Sequence, residues 1–374
     1  MKIYKLLLAA LVFTMVACTQ TSPEKPIKKQ PVNVILLIAD GTGLSQVSSM
    51  FFYKDSTPNY ARFKNIGLIK TSSSQQLITD SAAGATAFAC GVKTYNGAIA
   101  VADDSSHVKT IIELITSKNI KTGLIATSSI THATPASFYA HTLSRDSSQE
   151  IASYLPNSGV DFFAGGGITH FNKREDGQDL LQKFESEGVF IDTTSLGSFS
   201  SINKYDKVGY LLAKDHMKSV KDGRGDFLSK ATALGLEFLS KDAINTNFFL
   251  MVEGSQVDWG GHANDGDYLV SELIDFDDAV GIALDYAEKD GNTLVIVTAD
   301  HETGGFTLGS TSKKTKEGKD YSDYNELNMI FSTHGHSATL VPVFAYGPGS
   351  ENFTGIYENT AIFDKIMEFT GWNK

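Results

Sequence analysis

Five stretches of this chain are apolar and β-branched almost without interruption: VNVILLIA (32–39), KTGLIATSS (121–129), NFFLMV (247–252), NTLVIVTA (292–299) and LVPVFAYG (340–347). A strand with one face in water alternates apolar and polar residues, whereas a strand covered on both faces does not. Continuous runs of this kind predict an α/β fold, with a mostly parallel central sheet sandwiched between helices in three layers. Helical stretches such as YLVSELIDFDDAVGIALDYAEKD (268–290) lie between the runs and supply the cover.

Ligands of open parallel sheets collect outside the carboxyl ends of the strands. The first run passes into Asp40-Gly41, the second leads to His132 and Thr134, the third enters Glu253-Gly254 and the fourth Asp300-His301. Taken singly, each has an ordinary explanation as a turn, a helix cap or a surface residue. Four coincidences after four strands favour a metal site. In EGSQVDWGGHAND, Asp258 and His262 stand four apart, so one helical turn aims both at the same atom. In STHGHSATLVPVFAYGPG, His334 and His336 precede the last run. Mixed oxygen and nitrogen donors suit zinc, and carboxylate with hydroxyl oxygens suits magnesium. No cysteine stands among these candidates, which points to a hydrolytic multi-metal centre rather than a zinc finger.

The stretch TDSAAGATA (79–87) sets an acid and a hydroxyl at the edge of a small-residue run with no hydrophobic period. Asp80 or Thr79 as an ordinary helix N-cap is one reading. Ser81 as a nucleophile at a helix N-terminus, where free N–H groups attract an anion, is the other. The stretch alone leaves both open.

The opening MKIYKLLLAALVFTMVACTQTS has the layout of a secretory signal over residues 1–18, with Cys18 placed for lipid acylation. The polar, Pro- and Lys-rich residues 19–31 read as a tether. Residues 32–374 are expected to form one catalytic domain with insertions, exported to the periplasm and held to a membrane through Cys18. The insertion from about Gly304 to Thr333 is polar and Lys-rich, and its role does not follow from its sequence. Without Cys18, Cys90 is the one remaining cysteine, so no intramolecular disulfide forms. The net charge of −11 argues against nucleic acid and anionic membrane surfaces as partners. A content of 33 Gly against 8 Pro suggests a cold-adapted, heat-labile protein.

Taken in order, LLIADGTG, TDSAAGATA, THATPASFYAHTLSR, VEGSQVDWGGH, VTADHETGG and GHSATLVPVFAYGPG resemble the metal-binding and nucleophile blocks of the alkaline phosphatase family. The resemblance is greatest to its short, cold-adapted bacterial members and runs from about Val32 to Gly349. It implies zinc-dependent hydrolysis of phosphate monoesters, broad in specificity, through a phosphoserine at Ser81, with two Zn2+ and one Mg2+ per chain and a homodimeric state. Residue by residue, it implies Asp258, His262 and His336 on one zinc, and Asp40, Asp300 and His301 on a second beside Ser81. Asp40, Thr134 and Glu253 would hold the magnesium, and Arg145 would grip the phosphate. His336 is preferred to His334 because the family's ligand stands ten residues before the Tyr of its AYG strand end, as His336 stands before Tyr346. Two substrate-side positions depart from the best-known bacterial pattern: His132 replaces Asp beside the third metal, and Trp259 replaces Lys. With the metals counted, a dianion is attracted locally whatever the distant surface carries. The alternatives are a phosphodiesterase or other hydrolase of the same superfamily, and an inactive metal-binding lipoprotein.

Overall fold

A computed structural model of the chain describes residues 32–241 and 247–373. The expected signal, Cys18 and the tether lie outside the described residues.

In chain order the strands are β1 (Asn33–Ala39), β2 (Asn65–Lys70), β3 (Lys121–Ser129), β4 (Phe162–Gly166), β5 (Val189–Asp192), β6 (Lys207–Leu211) and β7 (Phe248–Gly254). They continue with β8 (Thr293–Thr298), β9 (Glu302–Thr303), β10 (Thr307–Lys314), β11 (Asp320–Ile330), β12 (His336–Ser337), β13 (Val341–Tyr346) and β14 (Gly355–Glu358). Ten of them form one sheet in the order β14-β2-β13-β8-β1-β7-β3-β4-β6-β5. Neighbours are parallel except around β13, which runs antiparallel to both β2 and β8. The mostly parallel sheet expected from the apolar runs is the one observed.

Both faces of the sheet are covered, as uninterrupted hydrophobicity requires. Along β1, Leu36 and Ile38 pack into one core with Phe88 of the helix Ser81–Cys90 and Ile366 of the helix Ala361–Thr370. Ile35 and Leu37 point the other way, into a core built with Leu228 and Ala231 of the helix Phe227–Leu239 and Leu273 and Phe276 of the helix Gly266–Asp290. The second of these helices contains the predicted 268–290 stretch.

Register sets the functional rim. Ala39 pairs with Gly254, Ile38 with Thr298, and Ala126 with Glu253, so β1, β3, β7 and β8 end at one level. The insertion after Gly304 is an antiparallel hairpin of β10 and β11. No helix among the described residues is long and apolar enough to cross a membrane.

Candidate metal centre

Two glycines let the rim close up. Gly41 has φ +75°, and a Cβ there would lie 2.6 Å from Asp258 Cα, so the turn after Asp40 admits the helix carrying Asp258 only with glycine. At Gly84 a Cβ would come within 2.9 Å of Asp300 Cβ, so the helix beginning at Ser81 can lie against Asp300. The N-cap reading of TDSAAGATA is the one observed, and Ser81 lies beside the candidate donors. Asp80 is the N-cap, accepting from Ala83 N at 3.0 Å, and the buried Ser81 places its Oγ 3.2 Å from His301 Nε2.

Around that pair the donors fall into three groups, each gathered within a few ångströms: Asp258, His301 and His336; Asp40, Asp300 and His301; and Asp40, His132 and Glu253. His301 is common to the first two, with Nε2 at 3.3 Å from Asp300 Oδ2 and 3.6 Å from Asp40 Oδ1. His262 joins the first group, its Nε2 3.1 Å from His336 Nε2 and 3.4 Å from Asp258 Oδ2. Thr134, in the short helix Ala133–Ala136, is fully buried.

Outer hydrogen bonds fix the tautomer of three imidazoles. Nδ1 of His262 donates to the His334 carbonyl, Nδ1 of His336 to the Thr79 carbonyl at 2.8 Å, and Nδ1 of His301 to Thr303 Oγ1 at 3.1 Å. Each ring therefore turns an unprotonated Nε2 toward the carboxylates, the form a metal requires. Thr303 Oγ1 in turn donates to Asp258 Oδ1. Ser255 Oγ donates to Glu253 Oε2 at 2.6 Å, and Ser128 Oγ to the same oxygen at 3.3 Å.

Other buried polar atoms of these groups have no protein partner: both carboxylate oxygens of Asp40, Oδ2 of Asp300, Oε1 of Glu253, Oγ1 of Thr134 and Nδ1 of His132. Burial, with Asp300, Asp258 and Glu253 nearby, raises the Asp40 carboxyl well above its ordinary range. Burial also raises Asp300 and pushes Glu253 up to about 7. Burial, helped by His336, pulls His301 down to about 3. A buried carboxylate without a partner either takes up a proton or is kept charged by a nearby cation. Orphaned acid oxygens facing neutral imidazole nitrogens are the donor set of divalent metals, oxygen-rich toward Glu253 and mixed toward His262.

Arg145 pairs with Asp80, not with its neighbour Asp146: Nη1 donates to Asp80 Oδ2 at 2.9 Å, and Nη2 lies 3.4 Å from His132 Nε2. Burial alone would raise Asp80, but Arg145 and the N–H groups of Ala83 and Gly97 hold it below the usual carboxylate range. Burial, then Arg145, lowers the His132 imidazole well below its ordinary value. Trp259 stands edge-on to His132, ring centroids 6.0 Å apart. The His334 side chain turns to the His262 carbonyl and belongs to none of the three groups. The sequence pattern did not single out Thr303, Ser128 and Ser255, which hydrogen-bond to His301, Asp258 and Glu253. The hydroxyl of Thr303, two residues beyond His301, was the one available hint.

A profile of the alkaline phosphatase family matches residues 31–323 and 309–371. Alkaline phosphatase 3 of Bacillus subtilis is 34% identical over 419 aligned positions, spanning 91% of this chain and 89% of its own. The alkaline phosphatase from the Antarctic bacterium TAB5 superposes with a TM-score of 0.89 at 61% identity, over 92% of this chain and 99% of that one. A histidine-to-aspartate variant of the TAB5 enzyme with magnesium bound in its M3 site matches with a TM-score of 0.90 at 62% identity and the same coverage. With the family's profile spanning nearly all of the described residues and its solved structures sharing the fold throughout, the chain belongs to the alkaline phosphatase family.

Proposed function

We propose that this member of the family hydrolyses phosphate monoesters, broadly in specificity, through a phosphoserine at Ser81, and that it takes two Zn2+ and one Mg2+. The observation that carries the reading is the 3.2 Å contact between Ser81 Oγ and His301 Nε2, because His301 belongs to both groups of mixed donors. Asp258, His262 and His336 suit one zinc, Asp40, Asp300 and His301 the other, and Asp40, Glu253 and Thr134 a magnesium. A TAB5 variant with aspartate in place of a histidine holds magnesium in its M3 site, whereas this chain has His132 beside Asp40 and Glu253. Bound in these groups, divalent cations lower the pKa of a nearby hydroxyl and neutralise charge on the attacking and leaving oxygens.

The chain's own residues do the rest. Ser81 Oγ loses its proton as it bonds to phosphorus, the ester P–O bond breaks, and the departing oxygen takes up a proton in exchange and leaves as the alcohol. Water then bonds to phosphorus, the P–Oγ bond breaks, and a proton from the water restores the Ser81 hydroxyl as phosphate leaves. Ala82, Ala83 and Gly84 keep the approach open, and main-chain N–H groups at this helix N-terminus face the anion. Arg145, held by Asp80 through one nitrogen, has its other end for the phosphate oxygens. His132 and Trp259 border the substrate beside it.

The same reading places residues 32–374 as one catalytic domain, acting as a homodimer in the periplasm and tethered through a lipid on Cys18. Metal analysis paired with activity tests the core of it. Chelation should abolish p-nitrophenyl phosphate turnover, stepwise return of zinc and magnesium should restore it, and turnover by fully metal-free protein would overturn it.

A further inference from the structure

His216, in the connection between β6 and the helix Phe227–Leu239, has no part in the groups above yet meets the substrate side of the centre. Its Nδ1 accepts from Ser129 N at 3.0 Å, at the end of β3. Its ring stands edge-on to Trp259 at a centroid distance of 4.7 Å and to His132 at 5.6 Å. His132 is the residue within 3.4 Å of Arg145 Nη2.

The tautomer narrows what His216 can do. A ring that accepts at Nδ1 carries its proton on Nε2, which leaves no lone pair there for a metal, although Asp215 and His170 stand close by. It is a wedge rather than a ligand.

The wedge is held rigidly. Gly167 N and Ile168 N both donate to the Ala213 carbonyl, at 3.0 and 3.1 Å, and a side chain at Gly166 would strike the Asp215 carbonyl. Gln256 Nε2 donates to the Met217 carbonyl at 2.8 Å, and Val220 N to Glu272 Oε1 at 2.7 Å. Arg224 closes the segment with an ion pair to Glu272 and Asp275, its side chain and that of Glu272 each 1% exposed.

We propose that His216 is a positioning residue for phosphate binding: it fixes Trp259 and His132 against each other, and through His132 it sets the free end of Arg145. The proposal rests on the monoesterase reading. Its signature is a change in phosphate affinity larger than any change in turnover, because its contacts are with Ser129, Trp259 and His132 rather than with Ser81 or the two groups that share His301.

Two variants separate its contacts. His216→Asn keeps an acceptor for Ser129 N but removes the ring, and His216→Phe keeps a ring but removes the acceptor. In metal-replete full-length protein, the Kd for inorganic phosphate by calorimetry and the KM for p-nitrophenyl phosphate should rise about fivefold in each, the scale of one lost hydrogen bond in His216→Phe and of one lost ring–ring contact in His216→Asn, while kcat falls by less. In an Arg145→Ala background the same substitutions should add almost nothing. With 5-fluorotryptophan in place of the two tryptophans, the Trp259 fluorine resonance should shift and that of Trp372 should stay. An unchanged phosphate Kd in both variants, or an undiminished effect without Arg145, would overturn the proposal. A wild type with full metal and no monoester turnover would instead overturn the monoesterase reading, and the fluorine resonances, which need no substrate, would still decide whether His216 holds Trp259.

Discussion

Arg145 Nη1 donates to Asp80 Oδ2 at 2.9 Å, which ties the guanidinium to the residue that caps the helix of Ser81. One carboxylate thus orients the proposed nucleophile's helix and the proposed phosphate clamp together. Asp80→Asn should keep the cap, since Asn is as good an N-cap as Asp, but lose the charge that holds Arg145. Inhibition by inorganic phosphate should weaken about fivefold and thermal stability should fall modestly, because the Asn amide nitrogen replaces the oxygen that accepts from both Arg145 Nη1 and Gly97 N. Inhibition constants beside melting curves would check it.

Arg145→Ala should slow monoesters far more than diesters. A guanidinium donates two parallel hydrogen bonds to two charged oxygens of a monoester dianion, and a diester lacks one of them. The loss on monoesters should be on the order of 2 to 3 kcal/mol in kcat/KM. An unchanged ratio between p-nitrophenyl phosphate and bis-p-nitrophenyl phosphate, at matched metal content, would remove Arg145 from the site.

The two neighbouring histidines should behave differently. His336→Ala removes an Nε2 that faces Asp258 and His262 and should empty one zinc position. His334→Ala should do little, because the His262 ring donates to the main-chain carbonyl of residue 334, which the substitution keeps. Metal content of the two purified variants by mass spectrometry distinguishes them, and zinc lost from the His334 variant alone would reverse the assignment.

Chelation should also destabilise the fold. Asp40, Asp300 and Glu253 are fully buried with oxygens that no protein group satisfies, and burial raises all three. Removing the partner of a buried charge costs about 3–5 kcal/mol, so Tm should fall on the order of 10 °C. Equal melting temperatures with and without chelator would show that these carboxylates need no metal.

Much of this was legible in the chain. β1, β7 and β8 are buried along their whole length, so their sequences carry no polar interruption and their ends point to Asp40, Glu253 and Asp300. The hairpin of β10 and β11 was not legible as strand, because β11 is mostly exposed and its residues alternate without an apolar face. Asp80 and Arg145 lie 65 residues apart, and His216 meets Ser129 across 87. No local spacing reports such pairs, since the sheet and the loops over it bring them together only in the folded chain.

The most direct test is to quench the metal-replete enzyme in acid during turnover of a phosphate monoester and map phosphate by mass spectrometry. The account predicts phosphoserine at Ser81 in the wild type, and none in Ser81→Ala with its zinc retained, because the hydroxyl supplies the attack while the neighbouring carboxylates and imidazoles hold the metals. A Ser81→Ala enzyme that turns over at the wild-type rate, or phosphate trapped on a different residue, would contradict it.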